Sequence, residues 1–167
     1  MSKITIVDEN DDVIGIKERD EVTSADIYRA TGLWITNSKG EILLAQRSFN
    51  KSHSPGKWAP AVAGTVEENE SYEQNIYKEA EEEMGIVDIK FELGPKWRTS
   101  NKYNYFAQIF TVVLDWPLEK FKVDYREAEQ IKWFRKDELI KEITACPRNF
   151  TSAAPRMLSV NIKIESD

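Results

Sequence analysis

The segment from Ser71 to Met84 reads SYEQNIYKEAEEEM and commits the chain to an amphipathic helix. Ile76, Ala80 and Met84 recur at i, i+4 and i+8 and form a core-facing stripe, with Tyr77 beside them. Ser71 suits the N-cap position, and Gly85 is a natural terminator at the far end. At about 100° per residue, Glu79, Glu82 and Glu83 share one arc bordering that stripe, whereas Lys78 and Glu81 are expected to face solvent. Carboxylates at i, i+3 and i+4 repel one another by roughly 0.2–0.5 kcal/mol per close pair. They also crowd the C-terminal half of the helix, where the macrodipole disfavours negative charge. A helix that was merely solvated would gain from a lysine among them. Hard divalent cations reverse the sign, because carboxylate oxygens are ligands that Mg²⁺ prefers and often shares with phosphate oxygens. For an arbitrary glutamate-rich helix, a solvated acidic face is the competing reading.

The residues around the helix decide between the two. Five residues separate Gly64 from Glu70, and seven separate Glu70 from Lys78-Glu79-Ala80-Glu81-Glu82-Glu83-Met84-Gly85-Ile86. This spacing resembles the Nudix box, G-x5-E-x7-R-E-U-x-E-E-x-G-U with U aliphatic, at every defined position except Lys78, where the family has arginine. The resemblance implies an α/β fold, a Nudix-type α/β/α sandwich with a mixed β-sheet and a loop–helix–loop catalytic motif. It implies Glu79, Glu82 and Glu83 as ligands of Mg²⁺, with Mn²⁺ as a substitute, and hydrolysis of a nucleoside diphosphate linked to another group or of a related organic diphosphate. Gly64 would let the backbone come close to the metal cluster, where a side chain would obstruct. Glu70 matches the glutamate that orients the box arginine; Lys78 is a point charge without the planar fork, so bidentate bracing is lost. Gly85 completes the motif.

The rest of the chain reads as one α/β domain over residues 1–167, with a β-hairpin extension over about residues 1–20. Lys3 to Val7 and Val13 to Ile16 are expected strands around the turn Glu9-Asn10-Asp11-Asp12. A second hairpin runs from Gly32 to Thr36 and from Glu41 to Gln46. Ser48 to Lys57 is a polar loop containing Pro55-Gly56, and Trp58 to Val66 an extended apolar run. Ile86 to Phe91, Tyr103 to Leu114 and Ala128 to Phe134 read as strands. Lys136 to Glu142 is a short helix, and Asn149 to Val160 a closing helix whose continuity Pro155 opposes.

The flanks of the box are similar to the isopentenyl diphosphate isomerase branch of the superfamily and its hydrolase-like relatives. The likeness lies in Val7-Asp8-Glu9-Asn10, in Arg47 and Lys51, and in Ser54-Pro55-Gly56 before Trp58. Isomerases of this branch place a cysteine just before the box glycine and histidine ligands nearby; here Ala63, Thr65 and Tyr28 stand at those positions. Alanine neither gives nor takes a proton, which disfavours prenyl diphosphate isomerisation. Arg47 and Lys51 match residues that bind diphosphate; they either grip the substrate or solvate a loop. The base that takes a proton from water is Glu82 or Glu127 on the family's pattern, with Glu129 a rival for the latter.

Composition narrows the remaining classes. A net charge of −6 disfavours binding to a nucleic acid polymer, which calls for a basic face. The one cysteine, Cys146, cannot form an intrachain disulfide, no apolar run is long enough for a membrane span, and no signal-peptide core is seen at the N-terminus, so a cytoplasmic enzyme is expected. A homodimer is an expectation at the level of the family. No phosphate-loop pattern is present. His53 reads as a loop histidine, and Trp58, Trp97, Tyr103 and Tyr105 as packing aromatics in preference to a base-stacking platform. A non-catalytic nucleotide-binding domain remains the alternative from another class, and retention of all three glutamates argues against it.

Overall fold

The computed structural model describes residues 2–165, with side chains described through Ser159. The chain opens with a hairpin of β1 (Lys3–Val7) and β2 (Val13–Glu18). Its turn is closed by Asp8, whose carboxylate accepts from the Asn10 and Asp12 amides at 2.8 and 3.0 Å, while Asp11 adopts a left-handed φ of 64°. β3 (Ile27–Thr36) follows, then β4 (Ile42–Arg47), β5 (Trp58–Pro60) and β6 (Val62–Thr65). After α1 (Tyr72–Met84) come β7 (Glu92–Ser100), β8 (Asn104–Val113), β9 (Ala128–Phe134), α2 (Lys136–Ala145) and α3 (Ala153–Glu165).

The ten-residue β3 organises the sheet. It pairs antiparallel with β1 near Tyr28, with β6 over Ala30–Leu33 and with β4 at its far end. Along its whole length from Tyr28 to Thr36 it runs parallel to β8, so the sheet is mixed. β7 pairs with β8, and β9 with β4. Side chains alternate across the strands and feed two cores. Leu33, Ile35 and Leu43 face α1 and meet Ile76, Ala80 and Met84. Trp34, Ile42 and Leu44 face the other way and meet Leu139 of α2 and Met157 and Leu158 of α3. Helices on both faces of a mixed sheet give the expected α/β/α layering.

α1 forms as anticipated. Ser71 accepts from the Gln74 amide and the Gln74 side chain accepts from the Ser71 amide, a reciprocal capping box. Ile76 and Met84 are fully buried, each worth roughly 1.5–3 kcal/mol relative to exposure. Gly85 ends the helix at φ 65°, its amide directed to the Ala80 and Glu81 carbonyls.

Three expectations need correction. Residues Ile86 to Phe91 are not a strand: Asp88 takes a left-handed φ of 58°, and Ile86 and Phe91 instead fold back onto α1, where the Phe91 ring stacks on Tyr77 at 4.5 Å. The strand starts only at Glu92. The third strand begins at Ile27 and not at Gly32, because Tyr28 to Gly32 pair with β8 although their side chains do not alternate cleanly in polarity. The closing helix starts at Ala153, so Pro155 lies in the first turn, where its missing N–H costs no intrahelical bond.

Candidate active site

Two glutamates of α1, Glu79 and Glu83, are set against β6, which β3 holds in place. Gly64 lies directly over Glu79: a methyl group at Gly64 would stand 2.5 Å from Glu79 Cγ and 2.8 Å from Oε1, closer than any real contact. Glycine is therefore required here for close approach. One residue earlier, the Ala63 amide donates to Glu83 Oε2 at 3.3 Å. Glu79 and Glu83 thus turn inward under β6, while Glu82 and Glu81 are exposed.

Burial is the main reason that both inward carboxyls resist ionisation. Glu79 is pushed up to about 7 by desolvation, with Lys78 opposing and Glu82, Glu67 and Glu70 adding to the rise. Glu83 is pushed up to about 8 by desolvation and by Glu79; the Ala63 amide and Lys51 oppose, and Glu127 adds to the rise. Two neighbouring carboxyls held in this way form an oxygen-only donor set short of positive charge, which is what a hard divalent cation would supply. As the side chains stand, no three acidic, histidine or cysteine groups among the described residues converge closely enough to hold an ion. Glu82 is the exposed member and has to swing inward to complete such a set. In donor chemistry and in the cradle at Gly64, the residues fit Mg²⁺ or Mn²⁺.

Asn75 was not anticipated. It lies on the helix flank beside the apolar stripe and is fully buried. Its amide nitrogen donates to the Thr65 carbonyl and to Glu70 Oε2, both at 3.0 Å, and lies 3.4 Å from Glu79 Oε1. Its oxygen accepts from the Thr31 hydroxyl. A polar residue beside an apolar helical stripe was the available signal.

Lys78 does not point to solvent as the helical wheel suggests. Its ammonium reaches Glu70 Oε1 at 2.5 Å and Glu67 Oε2 at 3.0 Å, with Glu79 Oε1 at 3.9 Å. Burial alone would raise Glu70; hydrogen bonds from Lys78, the Glu67 amide and Asn75 outweigh it and hold the carboxyl below its ordinary value. The reach of a lysine stem, long enough to curl back along the helix, defeats a prediction made from Cα angles alone.

Against the end of α1 lies the segment before β9. The Asp124 amide donates to the Glu83 carbonyl at 2.9 Å, fastening this segment to the end of α1. Glu127 forms an ion pair with Lys51, and both act on Glu83. Glu129, its rival, accepts from the Phe49 amide at 3.0 Å and is exposed. Arg47 lies farther round: its Nε donates to the His53 carbonyl at 2.9 Å and so closes the 48–57 loop. His53 lies against Tyr103, the rings tilted by 33° with centroids 3.6 Å apart, and burial first, then Arg47 and Lys102, hold its pKa low. Trp58 packs edge-on against Phe134 and Trp97 lies against the same core, as packing aromatics do.

Comparison with known proteins places this geometry. The NUDIX domain model matches residues 27–154. A prenyl-diphosphate phosphatase of Methanosarcina mazei is 33% identical over 152 residues, covering 90% of this chain and 89% of the relative. An isopentenyl-diphosphate Delta-isomerase of Photorhabdus laumondii is 30% identical over 126 residues, covering 70% of this chain and 72% of the relative. In fold, the crystal structure of DR0079 from Deinococcus radiodurans superposes with a TM-score of 0.72 at 22% identity, over 86% of this chain and 89% of that one.

Proposed function

The chain belongs to the Nudix family, on the branch similar to isopentenyl diphosphate isomerase, and from that premise we propose that it is a Mg²⁺-dependent hydrolase of organic diphosphates. The observation that carries the reading is the pair of inward carboxyls, Glu79 and Glu83, fixed beneath Gly64 and Ala63 and short of positive charge. A structure with no use for a cation has no reason to keep two such groups side by side.

Glu79, Glu82 and Glu83, with the backbone at Gly64, would hold Mg²⁺ or Mn²⁺. Bound there, such an ion supplies positive charge to the phosphoryl oxygens and makes water more acidic. The chain's own groups account for the rest. Lys51 offers a cation to the diphosphate, and because it pairs with Glu127 in the free protein, substrate competes for it. Glu127, released from Lys51, accepts the proton of the attacking water on its carboxylate; Glu82 is the second candidate for that step. Arg47 shapes the loop on which Lys51 stands and contributes charge to the diphosphate end.

The substrate class is an organic diphosphate, either a prenyl diphosphate or a nucleoside diphosphate derivative. The relative named as a prenyl-diphosphate phosphatase supports the first, and the similarity to the isomerase branch points the same way. Isomerisation itself is disfavoured by Ala63, which has no proton to transfer at the position where those isomerases place a cysteine. The test is release of phosphate or pyrophosphate, with Mg²⁺, from a panel of prenyl diphosphates and nucleoside diphosphate derivatives by the wild type, Glu82→Gln and Glu127→Gln. Release by the wild type and its loss in at least one variant is expected. Tight binding of the same compounds without release would replace the hydrolase reading with a binding domain.

A further inference from the structure

We propose that Glu67, held by the N-terminal hairpin, is a positioning residue for the cation-facing side of α1 and acts through Lys78. Its consequence for turnover rests on the hydrolase reading; its consequence for cation affinity does not.

An ammonium group has three N–H bonds on one point and cannot hold a single carboxylate in two parallel bonds as a guanidinium does. With Glu70 as sole partner, the Lys78 head would be free to swing about that contact. Glu67 Oε2, at 3.0 Å, is a second anchor; between the two, the ammonium is fixed 3.9 Å from Glu79 Oε1. Lys78 then keeps Glu79 beneath Gly64, where the approach is too close to tolerate a shifted side chain. The loop closes on itself as well, because the Glu67 amide donates to Glu70 Oε2 at 2.9 Å.

What holds Glu67 is the hairpin. Ile4 of β1 bridges Glu67 antiparallel. The Thr5 amide donates to the Val66 carbonyl at 3.3 Å, the Thr5 hydroxyl to the Glu67 carbonyl at 2.9 Å, and the Glu68 amide to the Lys3 carbonyl at 2.9 Å. Residues 66–68 are thereby treated as a short extra strand on β1. Arg19 adds a contact of 3.5 Å to Glu67 Oε1, but half-exposed and screened it adds little. Both β1 and Arg19 precede the region that matches the family, residues 27–154, so the brace comes from outside it.

The test is Mn²⁺ affinity, read by electron paramagnetic resonance, with melting temperature as the control for folding. Glu67→Ala is expected to lose about tenfold in affinity, as loss of a group that orients a metal ligand typically does. Thr5→Val, which deletes only the hydroxyl bond to the Glu67 carbonyl, should move affinity less and in the same direction. Adding Lys78→Arg to Glu67→Ala should restore most of the loss, since a planar fork braces Glu70 without a second carboxylate. Unchanged affinity in Glu67→Ala overturns the proposal, and so does a loss that Lys78→Arg fails to restore. If Glu67→Ala does not fold, Glu67→Gln and Thr5→Val carry the comparison, and wild-type affinity in both overturns it. A wild type whose Mn²⁺ binding depends on Glu67 yet which cleaves no diphosphate would sink the hydrolase reading and support the brace. Cleavage by a Glu67→Ala protein with intact affinity and kcat would sink the brace alone.

Discussion

Gly64 separates the cation-site reading from a decorative one most sharply. Its Cα sits so near Glu79 that a methyl group would meet Cγ at 2.5 Å, and neither β6 nor α1 can retreat without breaking the core behind them. Gly64→Ala should therefore displace Glu79 and leave the fold standing. We expect a loss of at least about tenfold in Mn²⁺ affinity and a fall in kcat, with a cooperative melt retained. An alanine variant with wild-type kcat would show that Glu79 has no fixed post. The Lys51–Glu127 pair yields a second prediction. If Lys51 leaves Glu127 for the incoming diphosphate, Lys51→Ala should raise KM by about tenfold, equivalent to roughly 1.4 kcal/mol. Glu127→Gln should lower kcat and leave KM nearly unchanged. The reverse pattern, with kcat falling in the lysine variant, would mean that Lys51 serves the base and not the substrate.

α1 was readable almost residue by residue because its signals are local. Ser71, the stripe of Ile76, Ala80 and Met84, and Gly85 each act within one or two turns, and each stands where it was expected. The strands after it were read less well. Ile86 to Phe91 carries the aliphatic and aromatic residues of a strand, yet Ile86 and Phe91 are buried against α1, Phe91 through contacts from Tyr77 that no local pattern contains. For the same reason Asn75 and Glu67 escaped notice: their partners, Thr31 and β1, are distant in sequence. The fixed spacing of the box, by contrast, singled out Gly64, Glu79 and Glu83 as candidates, and the fold sets Glu79 against Gly64 and Glu83 against Ala63. The end of α1 can be tested directly. Gly85 combines a φ of 65° with a Lys122 Cβ that would lie 2.8 Å from an added methyl group. Gly85→Ala should cost at least about 1 kcal/mol for the left-handed backbone alone. In a chain of this size each kcal/mol corresponds to about 2–4 °C in melting temperature. A variant that melts with the wild type would refute this account of how the helix ends.

The molecule is also tied together at the turn of its first hairpin. Asp11, in the turn of the first hairpin, accepts from Arg29 Nε at 2.7 Å, from the Tyr72 hydroxyl at 3.0 Å and from Lys96. One carboxylate therefore joins the hairpin, β3, the first turn of α1 and β7. Burial alone would raise its pKa, but the bonds from Lys96, Arg29 and Tyr72 outweigh it and hold the group below the ordinary value of 3.8. The sign follows from linkage. A carboxyl whose folded pKa is depressed contributes stability that is fully present above the unfolded value, and that contribution is lost as pH falls through the folded value. Asp11→Asn isolates this charge, because asparagine tolerates the left-handed φ of 64° and preserves the side chain's shape. The variant should melt several degrees below the wild type at pH 7. As pH drops below 3.8 the gap should narrow, since the wild type then protonates Asp11 and loses what the variant already lacks. A gap of constant size from pH 7 down to the acid limit would mean that the contribution of Asp11 lies in its shape and not in its charge, and the clasp would then be one of packing.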